Sequence, residues 1–298
     1  MQTKLIKPIG YCYGVTNAIN FSIDIKNKHE DKNVYIFGLL IHNKEIVPYL
    51  EKYNIHTIDT SKINMIERLN KFTCDDVVIF TAHGHKKEYE KILKKNNVIY
   101  YDAVCPIVQK NIDLILNTDK DIIYIGKSNH PESEVCRSLK SNVHFYDTSE
   151  GFDFSKKLNS PIVINQTTLS FLELHDIHQN ILSHYNDALI HDEICNATRI
   201  RQENINSIPN ECDLLIVVGD KKSSNSTKLF ELALKLHPDK KVLFVENVHE
   251  LKEYNLNEFH FACITSGTST PMNLINEINN FLLNLWLSDT IYVVKINI

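Results

Sequence analysis

The sequence predicts an α/β protein built from three similar units, each with a parallel sheet. Three observations predict it. Short, continuous apolar runs alternate with helical patterns, as buried parallel strands do. A strand–cysteine–helix plan occurs three times, with Cys12, Cys105 and Cys195 spaced 93 and 90 residues apart. Each copy is followed by two further strands that end in polar clusters. Unit boundaries fall near residues 104–106 and 193–195, giving segments 1–104, 105–193 and 194–298. No linker rich in Pro, Gly or Ser separates them, which argues for close packing.

The first unit opens with Leu5–Cys12, and a helical pattern runs from Val15 to Ile25. Val34–Gly38 then leads to His42-Asn43, and Val77–Phe80 leads to Thr81-Ala82-His83-Gly84. The second unit opens with Val98–Cys105, and Pro106 starts a helix through Leu116. Ile122–Gly126 leads to His130-Pro131-Glu132, and Pro161–Ile164 leads to Asn165-Gln166-Thr167-Thr168. The third opens with Ala188–Cys195 and a helix from Thr198 to Ile208. Leu214–Gly219 leads to Ser223-Ser224-Asn225-Ser226, and Phe261–Ile264 leads to Thr265-Ser266-Gly267-Thr268-Ser269. Ligands of open parallel sheets bind beyond the carboxyl ends of the strands, where every one of these clusters falls. Three units, each offering one cysteine and two polar loops, imply a pseudo-threefold arrangement around one central site.

Composition narrows the function. Hydrophobic residues make up 43% and charged residues 23% of 298, so a packed core is affordable and disorder is excluded. A net charge of −5 speaks against generic nucleic-acid binding. The greasiest stretch, Phe281–Leu287, is too short for a bilayer, and the N-terminus lacks an apolar signal core. An intracellular, cytoplasmic protein is expected, although a processed plastid form would look the same. Seven cysteines, an odd number, do not read as a disulfide framework. Cys212 and Cys263, at and in a strand, read as packing, and Cys136 falls in a helix. With only 8 glycines, each is informative: all but Gly151 lie within four residues of a cysteine or polar cluster.

Three convergent thiolates suit a soft metal centre, either zinc or an iron–sulfur cluster with one iron left open. His42, His83 and His130 make an anion site, since imidazole can carry charge or donate hydrogen bonds near neutral pH. Ser223, Ser224, Asn225 and Ser269 add neutral donors, with Ser269 expected at a helix start that favours phosphate. Glu132 is a proton donor if an enclosed pocket raises its pKa, with Thr167 and Thr168 as relays. Its plainer reading is a carboxylate favoured by a helix macrodipole. Walker-type and dinucleotide-binding glycine motifs are absent. A zinc hydrolase and a non-catalytic cluster sensor or phosphometabolite binder are the competing classes.

Gly10-Tyr11-Cys12-Tyr13-Gly14-Val15, Ile41-His42-Asn43, Thr81-Ala82-His83-Gly84, Asp102-Ala103-Val104-Cys105-Pro106, His130-Pro131-Glu132, Gln166-Thr167-Thr168-Leu169-Ser170, Ile194-Cys195-Asn196-Ala197-Thr198, Ser223-Ser224-Asn225-Ser226 and Ser266-Gly267-Thr268-Ser269-Thr270-Pro271 follow one another along nearly the whole chain. In these stretches the chain closely resembles the 4-hydroxy-3-methylbut-2-enyl diphosphate reductases, the last enzymes of the non-mevalonate isoprenoid pathway. The resemblance implies a trefoil of three α/β domains around one 4Fe–4S cluster per subunit, held by Cys12, Cys105 and Cys195. It implies that the fourth iron takes the substrate hydroxyl. It places the diphosphate on His42, His83, His130, Ser223, Ser224, Asn225 and Ser269, with Glu132 supplying protons and Thr167 near the hydroxyl. Two electrons, from a small ferredoxin or flavodoxin, and two protons would convert substrate to isopentenyl and dimethylallyl diphosphate. Tyr13 and Ser128-Asn129 depart from the family pattern, where smaller residues are expected, and the C-terminal segment Ile291–Ile298 looks short.

Overall fold

The computed structural model describes residues 1–61, 63–191 and 194–296. Asp192 and Glu193, within the expected third cysteine strand, and Asn297-Ile298, at the end of the C-terminal segment, lie outside the described residues.

The chain begins with β1 (Gln2–Leu5) and α1 (Tyr13–Lys28). Next come β2 (Asn33–Phe37), α2 (Ile46–Glu51), β3 (Ile55–Ile58), α3 (Met65–Leu69), β4 (Asp76–Phe80), α4 (Lys87–Lys95) and β5 (Ile99–Asp102). The middle comprises α5 (Pro106–Asn117), β6 (Ile122–Gly126), α6 (Pro131–Leu139), β7 (Val143–Asp147), β8 (Ile162–Asn165), α7 (Phe171–His184) and β9 (Leu189–Ile190). The last part holds α8 (Asn196–Ile205), β10 (Leu214–Val218), α9 (Ser224–Leu236), β11 (Lys241–Val245), α10 (Val248–Leu251), β12 (Phe261–Ser266) and α11 (Met272–Ile296). Among the described residues, no helix is long and apolar enough to cross a membrane.

Among the described residues, twelve strands form three four-stranded sheets, parallel throughout, in the orders β3-β2-β4-β5, β7-β6-β8-β9 and β1-β12-β10-β11. The α/β class with three parallel sheets is therefore the one the sequence predicts. The third order, read backwards, repeats the other two: an outer strand, the first strand of the unit, the third, and the strand leading to a cysteine. The central strands β4, β6 and β10 are buried at every position, which explains their unbroken apolar runs. Two differences from the sequence reading stand out. The outer strands β3, β7 and β11 were not foreseen, and the cysteine strands are shorter than expected. β1, grouped by sequence with the first segment, pairs with β12 instead, Gln2 opposite Phe261 and Leu5 opposite Ile264.

The chain divides into two compact units, Tyr13–Cys195 and Met1–Cys12 with Asn196–Ile298. The first unit contains the first two sheets. Phe37, Val78, Phe80, Tyr89 and Leu93 build the core beside one sheet, and Ile123, Ile125, Val163, Leu174 and Ile181 the core beside the other. In the second unit, two apolar layers cover the two faces of the remaining sheet. Leu214, Ile216, Ile264 and Ile275 line one face; Leu215, Val217, Leu229 and Cys263 line the other. That alternation is the period-two consequence of the strand pleat. Cys263 is thus the packing residue the sequence suggested.

Candidate active site

Each of the three cysteines is held by the same device. The Cys105 N–H donates to Ala82 O at 3.0 Å, Cys195 N–H to Thr167 O at 3.0 Å, and Cys12 N–H to Thr268 O at 2.9 Å. Ala82, Thr167 and Thr268 each stand two residues beyond the end of β4, β8 and β12, respectively. Each cysteine also immediately precedes a helix, α1, α5 or α8. Helix N-termini favour the thiolate, the form that ligates metal. All three are half-buried thiols, not disulfides. The donor set, one soft ligand on each of three equivalent turns, fits an iron–sulfur cluster. Among the described residues, no three His, Cys, Asp or Glu side chains converge about a single ion. A cluster does not require that convergence, because each thiolate binds its own iron.

Within the Tyr13–Cys195 unit the structure brings His42, His83 and His130 together. Ring centroids lie 4.4 Å apart for His42–His83, 5.5 Å for His42–His130 and 5.8 Å for His83–His130. His42 follows β2, and His83 follows β4. Gly84, at φ +84°, turns the chain directly after His83, where an L-residue would be strained. His130 is the N-cap of α6, and its Nδ1 accepts the Glu132 N–H at 3.3 Å. That bond assigns the ring proton to Nε2 and leaves an N–H donor free to turn to a ligand. Burial, reinforced by His42 and His130, holds His83 well below the usual imidazole range. Burial, with His42 and Lys127, pushes His130 down to about 3. His83 and His130 are thus neutral at neutral pH, not the ready-made cations that the sequence allowed. A bound polyanion would reverse this, since opposite charge favours protonation.

Ser128-Asn129, the unusual lead-in to His130, is a pinned turn. Lys127 N–H donates to Gln166 Oε1 at 3.1 Å, Ser128 N–H to Asp147 Oδ2 at 3.1 Å, and His130 N–H to Lys127 O at 3.1 Å. These bonds replace the backbone freedom that glycine gives elsewhere. Tyr13, the other departure, starts α1 and is 80% exposed, so it does not fill the interior.

Glu132 sits in the first turn of α6 and is 1% exposed. Its Oε1 accepts from the Thr167 N–H at 3.0 Å and the Tyr124 O–H at 3.2 Å; its Oε2 accepts from the Thr167 O–H at 2.9 Å. Burial pushes the carboxyl up to about 7, against hydrogen bonds from Thr167, Tyr124 and Asn111 that pull it down. A carboxyl poised there can both hold and release a proton at neutral pH. Thr168 is not part of this pair: its hydroxyl accepts from Gln166 Nε2 at 2.8 Å.

In the other unit, Ser223, Ser224, Asn225 and Ser269 are all buried. Ser223 caps α9, its Oγ accepting the Ser226 N–H at 3.4 Å. Asn225 ties the loop after β12 to α8: its Oδ1 accepts the Thr268 N–H at 2.8 Å, and its Nδ2–H donates to Thr198 Oγ1 at 2.9 Å. Ser269 stands in the loop before α11, which starts at Met272, so it precedes the helix rather than opening it.

Sequence reasoning missed Tyr124, Asn111 and His85. Asn111 stands in the buried stripe Val108, Ile112, Ile115 of α5, a polar residue in an apolar register that flags a buried hydrogen bond. It donates from Nδ2 to Asn165 O at 3.1 Å. His85 stacks on Phe80 with centroids 3.7 Å apart and lies 3.3 Å from both Glu90 and Asp102. It braces the loop that carries His83 against the strand end that leads to Cys105. No local signal separated it from its lysine-rich surroundings.

The model of the family described as LytB protein matches residues 3–283. A curated relative from Bacillus licheniformis, named 4-hydroxy-3-methylbut-2-enyl diphosphate reductase, is 36% identical over 292 residues, covering 95% of this chain and 90% of its own length. One of the same name from Bacillus subtilis is 37% identical over 295 residues with the same coverage. Among solved structures, the E-1-hydroxy-2-methyl-but-2-enyl-4-diphosphate reductase from Plasmodium falciparum aligns with a TM-score of 0.80 at 29% identity, over 95% of this chain and 87% of that one. A second, titled as the (E)-4-hydroxy-3-methyl-but-2-enyl diphosphate reductase that ends the non-mevalonate pathway, shares the fold at a TM-score of 0.65 and 23% identity, over 95% of this chain and all of that one.

Proposed function

The chain belongs to the LytB protein family, and from that premise we propose that it reductively dehydroxylates 4-hydroxy-3-methylbut-2-enyl diphosphate to isopentenyl and dimethylallyl diphosphate. The observation that carries the reading is the buried Glu132–Thr167 pair, joined through Glu132 N–H to the histidine cluster. An acid and an anion site side by side are what removal of a hydroxyl from a diphosphate ester requires.

His42, His83 and His130 receive the diphosphate together with Ser223, Ser224, Asn225 and Ser269. The imidazoles take up protons as the anion enters, and the hydroxyls and amide donate neutral hydrogen bonds. Anchoring at the diphosphate end fixes the carbon chain, so the reacting end meets its acid without a search. Glu132 then gives a proton through the Thr167 hydroxyl to the departing hydroxyl, which leaves as water. Hydroxide is a poor leaving group, and protonation in the transition state contributes about 10²–10⁴-fold in such cases.

Cys12, Cys105 and Cys195 would hold the cofactor, a 4Fe–4S cluster, one per chain. When bound, it would offer a Lewis-acidic iron and pass the donor's two electrons on one at a time, chemistry no side chain provides. A small ferredoxin or flavodoxin is the electron donor, and the bacterial origin of the curated relatives above accords with a cytoplasmic enzyme.

Anaerobic iron and sulfide analysis followed by turnover with a reduced donor tests the proposal. The expected result is about four irons per chain, with iron content falling in Cys105→Ser. Normal iron in that variant overturns the ligand assignment, and absent turnover in the iron-replete protein overturns the reaction.

A further inference from the structure

Glu132 is held from one side by a residue that the reaction itself does not call for. Tyr124, in the middle of β6, is completely buried, and its phenol donates to Glu132 Oε1 at 3.2 Å. The ring is fixed by its neighbours. Phe145 stacks beside it with centroids 6.4 Å apart and planes 17° apart, and Arg137 covers the outer face of Phe145 at 4.2 Å. Gly126, two residues on, leaves the space the ring edge needs: a Cβ there would come within 3.1 Å of Tyr124 Cε1.

The two oxygens of Glu132 are therefore unequal. Oε1 takes the Tyr124 O–H at 3.2 Å and the nearer branch of the Thr167 N–H at 3.0 Å, while Oε2 takes the longer branch of that N–H at 3.3 Å and faces the Thr167 hydroxyl, which can either donate or accept. A proton on Oε1 would meet the phenol O–H head-on, whereas a proton on Oε2 finds the Thr167 hydroxyl, which can turn to accept it, so Oε2 is the oxygen placed to hold the proton. We propose that Tyr124 is a positioning residue for Glu132: it selects Oε2 as the acidic oxygen and sets the pH at which that oxygen releases its proton. When Oε2–H passes its proton to Thr167 Oγ and Thr167 passes its own onward, the negative charge left on the carboxylate is taken up by the phenol at Oε1.

The surroundings keep the phenol a donor. The titratable groups facing Glu132 are Tyr124 from β6 and, on α6 and its cap, Cys136 and His130. From α5 comes Asn111 and from the loop after β8 comes Thr167, neither of which titrates. Cys136 lies one helical turn beyond Glu132 on the same face of α6 and is the other neighbour of the phenol. Burial raises both Tyr124 and Cys136 away from neutrality, so neither competes for charge in the working pH range.

This inference rests on Glu132 as the acid, and its test separates the two. In the anaerobic holoenzyme, the infrared band of the protonated carboxyl, assigned by its loss in Glu132→Gln, is titrated in wild type and in Tyr124→Phe. The expected midpoint in Tyr124→Phe lies about one pH unit higher, because a hydrogen bond to the charged form is gone. Site-specific replacement of Tyr124 by 3,5-difluorotyrosine, a more acidic phenol and a stronger donor, lowers the midpoint instead. It also covers the case in which the phenylalanine variant fails to fold. An unchanged midpoint in the difluorotyrosine protein overturns the proposal, as does an unchanged midpoint in a folded Tyr124→Phe. The kcat–pH profile is followed in parallel. Movement in step supports both readings. A shifted carboxyl with a stationary profile removes Glu132 as the acid and leaves the hold of Tyr124 on it standing.

Discussion

The Tyr13–Cys195 unit and the unit of Met1–Cys12 with Asn196–Ile298 solve one structural problem with different chemistry. In each, the first strand of a sheet leads to a polar helix start, the third strand leads to a loop, and that loop accepts the N–H of a cysteine. The former fills these positions with imidazoles and a carboxyl, the latter with hydroxyls and an amide. Burial therefore has different consequences. It shifts His83, His130 and Glu132 far from their ordinary ionisation, whereas Ser223, Ser224 and Asn225 have no charge to shift. One unit places pH-sensitive groups at its loops, and the other places neutral ones. The lesson is that a repeated scaffold fixes where functional groups stand, and side-chain identity alone decides what they can do there.

The sharpest way to break this contrast is to remove the proton donor. Glu132→Gln keeps the shape and part of the hydrogen bonding but cannot deliver a proton. We expect kcat to fall by about 10²–10⁴-fold with iron content unchanged. Full turnover in that variant ends the assignment of proton chemistry to this unit.

Stability comes next, and the signs oppose each other. Glu132 rises to about 7 in the fold from an ordinary value of 4.5, so the folded state binds more protons between those limits. Its contribution is present below 4.5, declines as pH rises through 7 and is flat above, a loss of about 3 kcal/mol. His130 falls from 6.5 to about 3, so its contribution is present above 6.5 and is lost as pH falls toward 3. Denaturant titrations across pH 4–8 should show Glu132→Gln gaining on wild type as pH rises. Asn225→Ala, which removes the bonds to Thr268 and Thr198, should lose a constant amount at every pH. A pH-dependent loss in Asn225→Ala breaks the distinction between the units.

How far these contrasts were readable in advance depends on how locally they are encoded. Val77–Phe80, Ile122–Gly126 and Leu214–Val218 announce themselves because strands buried on both faces must be apolar at every position. The cysteine turns are legible because the repeat places them at equal spacing. β3, β7 and β11 are outer strands with mixed burial, so their pattern is diluted. The pairing of β1 with β12 has no local signal at all, since a register between Gln2 and Phe261 is decided by the whole sheet. His42, His83 and His130 were legible as a group, but not the neutrality of His83 and His130, which arises from enclosure and the proximity of the other rings. Tyr124 looked like one more apolar residue in Ile-Ile-Tyr-Ile, and only the neighbouring carboxyl gives its hydroxyl a meaning.

Ligand binding separates the units more gently. Inorganic diphosphate, titrated calorimetrically between pH 8 and 6, should bind more tightly as pH falls, by up to about tenfold per pH unit for each proton taken up. The sign follows from His83 and His130, neutral when free and protonated beside the anion. Ser224→Ala should lower affinity by about tenfold, the value of one hydrogen bond to a charged group, with the slope unchanged. His83→Asn should flatten the slope. Parallel curves for wild type and His83→Asn would place the proton uptake elsewhere.

The smallest effect belongs to Tyr13. It is the residue that sequence comparison with the family marked as oversized beside a cysteine, yet its side chain is the most outward of the large apolar ones. An exposed side chain at a helix start contributes little packing, and the Cys12 turn is held by backbone bonds through Thr268 and by Gly10, whose N–H donates to Ser266 Oγ at 2.9 Å. Tyr13→Ala should therefore change stability by less than about 0.5 kcal/mol and leave iron content as in wild type. A loss of iron in that variant would mean that the aromatic ring, and not the turn common to all three cysteines, holds Cys12 in place, and the equivalence of the three turns would fail at its first member.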